Sequence, residues 1–440
     1  MKSKPKVLVV TYYWYPFAGV GSYRVSRFVK YLQKMGWEVV ILTAQKASSS
    51  QLSEPDHPLL DTLKVYRTPI IEPTKWLSPR THEIGKSQSI THNPGIFYSK
   101  NKSLISRIAV WLRRNWLIPD AKLSWKWFAV PAGKKIIRRE KPDVIFSTSP
   151  PPTTHRIAES LAKWSGLAWH ADFRDPWTNI YYYDDFPLGA RADKKNRAME
   201  ANVLENAPSI SVVNHGFFSE LSTDQTAKIR RITNGYDPDH IQPEIINSPK
   251  NEKFTIRYFG SLKINQRPSS FIDALRKLEA EQPGVAEQVR FEFYGSLDAT
   301  LSQEFSSGLA RIEFKPLGFI KHDEMLKLLP KSDLLLLSIG QTKNSFYALS
   351  TKVFEYMVSG TKVLGIGPTK GAAAELVRHT NIGSFYERED AEGVFAFLIN
   401  EFKAYKKNKS QKNSLGEAAQ KYSFESLTTD LDSQLRALIP

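Results

Sequence analysis

The most constraining feature of this sequence is a strand–loop–helix–strand pattern at its start. Residues 7–11 form a short apolar run, a loop with two glycines follows, and residues 23–35 recur with helical periodicity. A second apolar run covers 38–43. Short apolar strands joined by a helix are typical of a parallel sheet with helices on both faces. Further strands of this sheet are predicted at 143–147, 166–171 and 210–213.

The same pattern starts again after a polar segment at 247–252. A helix is predicted at 268–278, close behind the first strand of this second series. The predicted strands of the series are 254–259, 289–294, 312–314, 333–338 and 362–366. A restart of this kind indicates a second α/β domain rather than a continuation of the first.

A chain of 440 residues is also long for one hydrophobic core. The predicted fold class is therefore α/β, with two doubly wound Rossmann-like domains at 1–240 and 241–413. A C-terminal helix at 414–440 could pack back on the first domain. We expect an irregular insertion at about 46–130, because 46–100 is rich in Ser, Pro, Thr and His.

The composition excludes several kinds of site. The chain has no cysteine, which excludes disulfides, thiolate metal sites and a cysteine nucleophile, and fits a reducing compartment. The first residues run directly into a strand, and no apolar run reaches the roughly 18 residues of a membrane span, so we expect a cytoplasmic protein. The formal net charge of +16 favours nucleic acid, acidic lipid or phosphorylated metabolites as partners. A generally basic surface would carry the same charge.

A polar turn, a short helix and an apolar strand follow one another at 349–366. Ser350, Thr351 and Lys352 lie at the predicted helix start, where backbone N–H groups and the positive end of the helix dipole attract anions. Lys352 adds a mobile positive charge. Glu355, about one turn further on, can accept hydrogen bonds from sugar hydroxyls. A phosphate-binding group beside a hydroxyl-binding group predicts a nucleotide-diphosphate site.

Two glycine-containing loops offer further candidate contacts. Arg267 follows the glycine turn after the first strand of the second domain, where it suits a phosphate, and Lys352 is its natural partner. Gly19 and Gly21 follow the first strand of the chain, but Arg24 stands where a dinucleotide-binding fingerprint has its third glycine. These two glycines let the backbone approach a ligand between the domains, or they form a plain tight turn.

Charged residues also follow a predicted strand of the first domain, at the edge where open α/β sheets bind ligands. Asp172, Arg174 and Asp175 could bind sugar hydroxyls or steady a developing cation, so they are candidate catalytic residues. The alternative is a structural Asp–Arg pair with Trp177 packed over it. His170, on the strand itself, is more typical of a packing histidine.

Residues 100–141 carry twelve Lys or Arg and only two acids, with four tryptophans among them. Basic residues with interfacial aromatics suit an anionic membrane surface. Proteins that bind single-stranded nucleic acid combine the same residue types. The third interpretation is an ordinary basic surface with tryptophans in the core. Since no zinc spacing, helix-turn-helix signature or RNP-type motif is present, we expect no nucleic-acid partner.

These motifs, in this order, resemble the GT-B glycosyltransferases of the GT4 type, which are retaining and use nucleotide sugars. The resemblance covers nearly the whole chain and rests on 7–11 with its glycine loop, 143–150, 172–177, 234–237 and 350–360. It implies two domains facing across a cleft, with a nucleotide-diphosphate sugar on the second. The acceptor would lie on the first, near Gly19, Gly21 and 172–175. No cofactor and no metal ion are implied.

The segments 143–150 and 172–177 are similar to a subgroup that builds bacterial surface polysaccharides. This likeness implies that the protein takes part in the synthesis of a polysaccharide or glycolipid at the inner face of the cell membrane. It does not name the acceptor, which could be lipid-linked, or the donor's sugar and base.

Carried over position by position, Glu355 matches the glutamate that typically holds the nucleotide ribose in this family. The chain departs from the family pattern at three places: Tyr347 replaces the first glutamate of the Glu-x7-Glu motif, Ser261 replaces the phosphate-binding arginine, and Gln266 replaces the phosphate-binding lysine. Arg267 and Lys352 are then the cations available for a diphosphate. The departures keep open an inactive GT-B scaffold or partner subunit, and the net charge keeps open a polyanion-binding protein.

Overall fold

The computed structural model describes residues 4–16, 20–45, 60, 62–71, 111, 115–180, 188–214, 216, 227–240, 251–407 and 416–440. The chain forms two compact units, one of Met1–Thr233 with Leu427–Pro440 and one of Asn234–Ser426. The domain limits inferred from the sequence, at 240/241 and 413/414, stay predictions.

The first unit contains a seven-stranded parallel sheet in the order β3-β2-β1-β4-β5-β6-β7. Its strands are β1 Lys6–Thr11, β2 Glu38–Ala44, β3 Lys64–Thr68, β4 Val144–Ser149, β5 Ala168–Phe173, β6 Ser209–Val212 and β7 Ile229–Arg231. The helices are α1 Val20–Lys34, α2 Trp125–Glu140, α3 Thr153–Ser165 and α4 Ala190–Asn206. The central strands are almost wholly buried, as expected for a sheet covered on both faces.

Two strands of this sheet, β3 and β7, were missed by the sequence pattern. Lys64–Thr68 lies inside the segment predicted to be irregular, yet it pairs in parallel with β2. Its sequence, KVYRT, is mostly polar and only its last residue is buried. A short strand at the end of a sheet is held by backbone hydrogen bonds to its one neighbour. Because these bonds do not depend on apolar side chains, the sequence shows no apolar run at this position.

The second unit contains a six-stranded parallel sheet in the order β10-β9-β8-β11-β12-β13. Its strands are β8 Phe254–Phe259, β9 Val289–Tyr294, β10 Glu313–Gly318, β11 Leu334–Ser338, β12 Val363–Ile366 and β13 Gly383–Tyr386. The helices are α5 Ser269–Glu281, α6 Pro283–Ala286, α7 Ala299–Gly308, α8 His322–Leu328, α9 Thr351–Val358, α10 Ala372–His379, α11 Ala391–Lys406 and α12 Glu417–Gln420. A further helix, α13 Phe424–Arg436, begins in this unit and lies mostly in the first.

In both sheets the strand order reverses beside the first strand of the unit. In the first unit β1 lies between β2 and β4, and in the second β8 lies between β9 and β11. This is the doubly wound order, and ligands bind such sheets outside the carboxyl ends of the strands at the reversal point. The predicted α/β class with two Rossmann-like domains is confirmed.

The last helix, α13, carries the chain back to the first unit. Asp432 accepts a hydrogen bond from the Trp37 indole at 2.5 Å, and Arg436 lies 5.3 Å from the centre of the same ring system. Leu431 and Leu435 are fully buried. The predicted packing of the C-terminal helix on the first domain is therefore confirmed.

Candidate functional site

The start of α9 meets the reversal point of the second sheet. Ser350 is extended and makes no side-chain capping bond to the helix that begins at Thr351. Val353, Phe354 and other buried side chains fix the helix against the core. The first N–H groups of a helix have no partner inside the helix, so this start can bind an anion.

Lys352 folds back from α9 towards the end of β8. Its Nζ donates a hydrogen bond to the Tyr258 hydroxyl at 2.8 Å and lies 4.3 Å from the centre of the tyrosine ring. A Cβ on Gly260 would lie only 2.8 Å from this Nζ, and Gly260 has φ +108°. The backbone conformation at 260 favours glycine, and the end of the Lys352 side chain occupies the space where a Cβ would lie. The result is a half-buried cation at the carboxyl end of β8.

Arg267 has a partner that the sequence did not predict. Its guanidinium forms two hydrogen bonds with Glu304 of α7, at 3.0 and 2.5 Å, and Arg276 binds the same carboxylate at 3.0 Å. This bidentate hydrogen bond to Glu304 raises the pKa of Arg267. The Arg267 charge is therefore already paired with a carboxylate, whereas Lys352 has no carboxylate partner among the residues that the structure describes.

The loops after β8 and β11 are fastened to each other. Arg388 is buried, and its guanidinium donates to the carbonyl oxygens of Arg267 and Ile339. The Ser338 hydroxyl donates to the Gln266 carbonyl at 2.6 Å. These bonds hold rigid the two loops that border the reversal point. The role of Arg388 could not be predicted from the sequence, because a side chain that binds backbone carbonyl groups belongs to no recognisable motif.

Glu355 is paired with a histidine from another helix. His322, the first residue of α8, has its Nε2 2.8 Å from Glu355 Oε1. The glutamate side chain is 15% exposed and the histidine 41%, so the pair lies at the surface of the unit. The His240 ring lies 5.9 Å from that of His322. No sequence signal connected His322 with Glu355, since the two residues belong to separate helices.

Apolar side chains surround the same end of the second sheet. In the described part of this unit four large hydrophobic residues are exposed, and each follows or ends a strand at its carboxyl end: Ile264, Leu317, Phe319 and Phe346. Tyr347, beside Phe346, lies in a short 3₁₀ turn. Exposed apolar groups at the same edge of the sheet as a cation and a helix start suit a ligand with both a flat ring and a diphosphate.

In the first unit Asp172 is fully buried in β5. Its carboxylate accepts two hydrogen bonds from Arg24 of α1, at 3.0 and 2.7 Å, and one each from Thr148 and Ser211. Burial alone would raise its pKa, but the Arg24 charge and these hydrogen bonds lower the pKa to about 2. The geometry matches the structural alternative, with Arg24 in the place expected of Arg174. A catalytic role for Asp172 stays a prediction, and the contact that the structure shows is its pairing with Arg24 of α1.

Arg174 and Asp175 lie just beyond β5 and pair with each other at 3.0 Å. Asp175 is 42% exposed, whereas Arg174 is 12% exposed. A Cβ on Gly21 would lie 3.2 Å from the Arg174 guanidinium and 2.6 Å from the Tyr13 ring. The structure therefore brings Gly21, Arg174 and Asp175 together at the carboxyl edge of the first sheet. Gly19 lies outside the described residues.

His170 and His155 are packing residues. Both are fully buried, and burial lowers their pKa values to about 4 and about 3. His170 shares hydrogen bonds with the hydroxyls of Ser209 and Ser211. Among the residues that the structure describes, no group of His, Cys, Asp or Glu could hold a metal ion. In the same part of the chain no helix has the length and apolar character to cross a bilayer.

Neither a family model nor a curated protein sequence matches this chain. The structure of HepE from Anabaena in complex with UDP aligns with 98% of this chain and 100% of its own, with a TM-score of 0.61 and 14% identity. Sucrose-phosphate synthase from Thermosynechococcus elongatus aligns over 99% of both chains, with a TM-score of 0.57 and 15% identity. A glycosyltransferase from Rickettsia africae covers 99% of this chain and 98% of its own, with a TM-score of 0.55 and 14% identity.

The chain has the GT-B fold. Identities of this size show a shared fold and nothing finer. In GT-B terms, the site around Lys352 and α9 lies on the C-terminal Rossmann-like domain, and the cluster around Arg174 lies on the N-terminal one.

Proposed function

We propose that this chain is a glycosyltransferase that moves a sugar from a nucleotide-diphosphate sugar to an acceptor hydroxyl. The observation that carries the proposal is the Lys352 ammonium, held at the carboxyl end of β8 beside the start of α9. A diphosphate bound there would face a cation and a helix N-terminus at the reversal point of a doubly wound sheet. The fold shared with HepE, whose structures contain UDP and UDP-glucose, makes a uridine donor the first to test.

Transfer breaks the bond between the anomeric carbon and a phosphate oxygen and forms a bond from that carbon to the acceptor oxygen. The nucleoside diphosphate leaves with the bonding electrons, and the proton of the acceptor hydroxyl passes to the departing diphosphate. Negative charge grows on the leaving phosphate oxygen, so Lys352 and the N–H groups at Ser350–Thr351 would stabilise the transition state more than the ground state. Glu355 would accept hydrogen bonds from the ribose hydroxyls. No metal ion is needed for this step, because the protein supplies the positive charge.

The acceptor would bind the first unit near Gly21, Arg174 and Asp175. Asp175 is the more exposed of the two carboxylates, so we assign it and Arg174 to the acceptor hydroxyls. We assign Asp172 the task of holding Arg24, and through it α1, in place. The retaining GT4 type, the role in a bacterial surface polysaccharide or glycolipid, a lipid-linked acceptor and a cytoplasmic location follow from the sequence resemblance and belong to the same proposal.

A thermal-shift panel of nucleoside diphosphates and their sugars tests the proposal most directly. A ligand that binds only the native state stabilises it by about 2.7 kcal/mol at a concentration of 100 Kd, which raises Tm by several degrees. We expect one base to raise Tm and the others to leave it unchanged. A well-folded protein that responds to none of them would contradict the donor site.

An inactive GT-B scaffold is the competing function. Tyr347 in place of a family glutamate and the engagement of Arg267 with Glu304 both favour it. Slow hydrolysis of the preferred donor, measured without any acceptor, separates the two. Release of free sugar that disappears in Lys352→Ala establishes an active enzyme, whereas binding without turnover would identify a scaffold.

The Glu355–His322 pair gives a separate prediction. Glu355→Ala should raise the KM for the donor more than tenfold, because it removes the acceptor of the ribose hydrogen bonds. His322→Ala should raise it about threefold to tenfold, since the carboxylate loses the hydrogen bond that orients it. Inhibition by pyrophosphate, which has no ribose, should be unchanged in both variants.

The matched control is Glu281→Ala, which removes a glutamate that is 53% exposed on α5 and should leave the kinetics unchanged. His322→Gln keeps a donor near Oε1 and should recover most of the affinity lost in His322→Ala. If pyrophosphate inhibition weakens as much as donor affinity in Glu355→Ala, the glutamate acts on the whole site and the ribose assignment is wrong.

A further inference from the structure

We propose that the first unit docks on an anionic lipid bilayer through one face of α2. The face, called here the α2 stripe, consists of Trp127, Pro131, Lys134 and Arg138. Their spacings of four, three and four residues place them on one side of the helix. The opposite side, which includes Trp125, Ala129 and Gly133, is buried in the core. This inference is independent of the proposed transferase activity.

The stripe continues onto the neighbouring helix α3 through Trp164. Lys134 Nζ lies 5.2 Å from the centre of the Trp164 ring and the Arg138 guanidinium carbon lies 5.0 Å from it. The helices come this close because Gly133 has no side chain, and a Cβ there would lie 2.6 Å from Leu161. The Trp164 side of the stripe is thus an exposed indole with two cations fixed beside it.

The stripe has cations and no exposed carboxylate from its own helices. Each of α2 and α3 contains a single acid, and both acids are buried and already paired. Glu140 binds Lys64 at 2.7 Å and Tyr66 at 2.6 Å, while Glu159 is held by Arg156 and Lys163. Further exposed cations of the same segment are Lys135, Arg139 and Lys141. A surface of one sign is complementary to anionic headgroups.

The kind of apolar residue decides between a bilayer and a protein partner. Four of the five large hydrophobic side chains exposed in the described part of the first unit are tryptophans: Trp111, Trp116, Trp127 and Trp164. Trp127 is 67% exposed. Tryptophan beside lysine and arginine is the composition of a membrane interface, where the indole lies at headgroup level and the cations meet the phosphates. Residues 100–110 and 112–114 of the basic segment predicted from the sequence lie outside the described residues.

Flotation of the purified full-length chain with vesicles tests the inference. At low salt we expect binding to phosphatidylcholine vesicles with about one third phosphatidylglycerol, and none to phosphatidylcholine alone. The double variant Lys134→Glu/Arg138→Glu should lose more than tenfold in binding. Trp127→Ala should bind the anionic vesicles severalfold more weakly, and its tryptophan emission should shift less to the blue on binding. High salt should weaken binding by the wild type.

The matched control is Lys194→Glu/Lys195→Glu, which reverses two exposed cations on α4 and should bind vesicles like the wild type. All variants should keep the wild-type Tm and the Tm shift given by the donor nucleotide, so a failure here leaves the donor site untouched. Absence of binding to anionic vesicles, or an equal loss in the α4 control, would overturn the proposal. Tighter binding to single-stranded DNA than to vesicles, lost in the same double variant, would also overturn it and assign the stripe to nucleic acid.

Discussion

Lys352→Ala should lower the rate of sugar transfer about 10²-fold, and by more than tenfold at the least, while the protein stays folded. A preorganised donor that meets charge developing in the transition state contributes about 10²–10³ in kcat. Lys352 is held for this task by the Tyr258 hydroxyl at 2.8 Å and by the space over Gly260. The loss should appear in kcat as well as in KM, because the diphosphate is already anionic in the bound donor and gains further negative charge as the bond breaks.

Two variants sharpen this test. Tyr258→Phe keeps the ring beneath the ammonium but removes the hydroxyl that orients Nζ, so its rate of sugar transfer should be severalfold lower than that of the wild type. Lys362→Ala removes a lysine of the same unit that is 41% exposed and paired with Glu401, and it should be as active as the wild type. Wild-type turnover in Lys352→Ala would remove the donor-site assignment, whatever the Lys362 control showed.

Arg24→Met should destabilise the first unit by about 3–5 kcal/mol. The substitution removes the guanidinium that binds both oxygens of Asp172 and leaves a carboxylate with no exposed surface beside apolar strands. Asp172→Asn should be costly for the converse reason, since it leaves the Arg24 charge buried. The double variant Arg24→Met/Asp172→Leu should recover much of the loss, because no charge is then left uncompensated.

The chain has a natural reporter for this measurement. All ten tryptophans lie between Trp14 and Trp177, within the first unit, so tryptophan emission in urea follows the unfolding of that unit. The control is Arg197→Met, which breaks an ion pair with Asp193 whose side chains are 59% and 38% exposed, and should cost less than about 1 kcal/mol. If Arg24→Met lowers the free energy of unfolding no more than this control does, the Arg24–Asp172 pair does not stabilise the first unit.

The pH dependence has a definite sign. The pKa of Asp172 is lowered to about 2 in the native state, against about 3.9 in an unfolded chain. The pair therefore contributes its full stability above the unfolded pKa and loses it as the pH falls through about 2. The comparison of Arg24→Met with wild type should accordingly be made near pH 7, where the contribution is complete.

Much of the fold could be predicted from local sequence. The strands at 254–259 and 289–294 have the predicted limits, since short runs rich in β-branched and aromatic residues are recognised from neighbouring residues alone. Lys64–Thr68 could not be predicted in the same way, because its pairing with β2 is a contact between distant backbone atoms. The start of α9 could also be predicted, since Ser350, Lys352 and Glu355 lie within a few residues of it. The contact of Lys352 with Tyr258, 94 residues away, could not.

Partners were beyond prediction wherever they came from far along the chain. Asp172 meets Arg24 across 148 residues, Arg267 meets Glu304 across 37, and Glu355 meets His322 across 33. The sequence by itself determined which segments became strands and helices and which residues stood at their ends, because periodicity and helix chemistry act over a few residues. Only the tertiary structure decided which charges were neutralised and which remained available to a ligand, because side chains from separate elements are brought together by the packing of the whole domain.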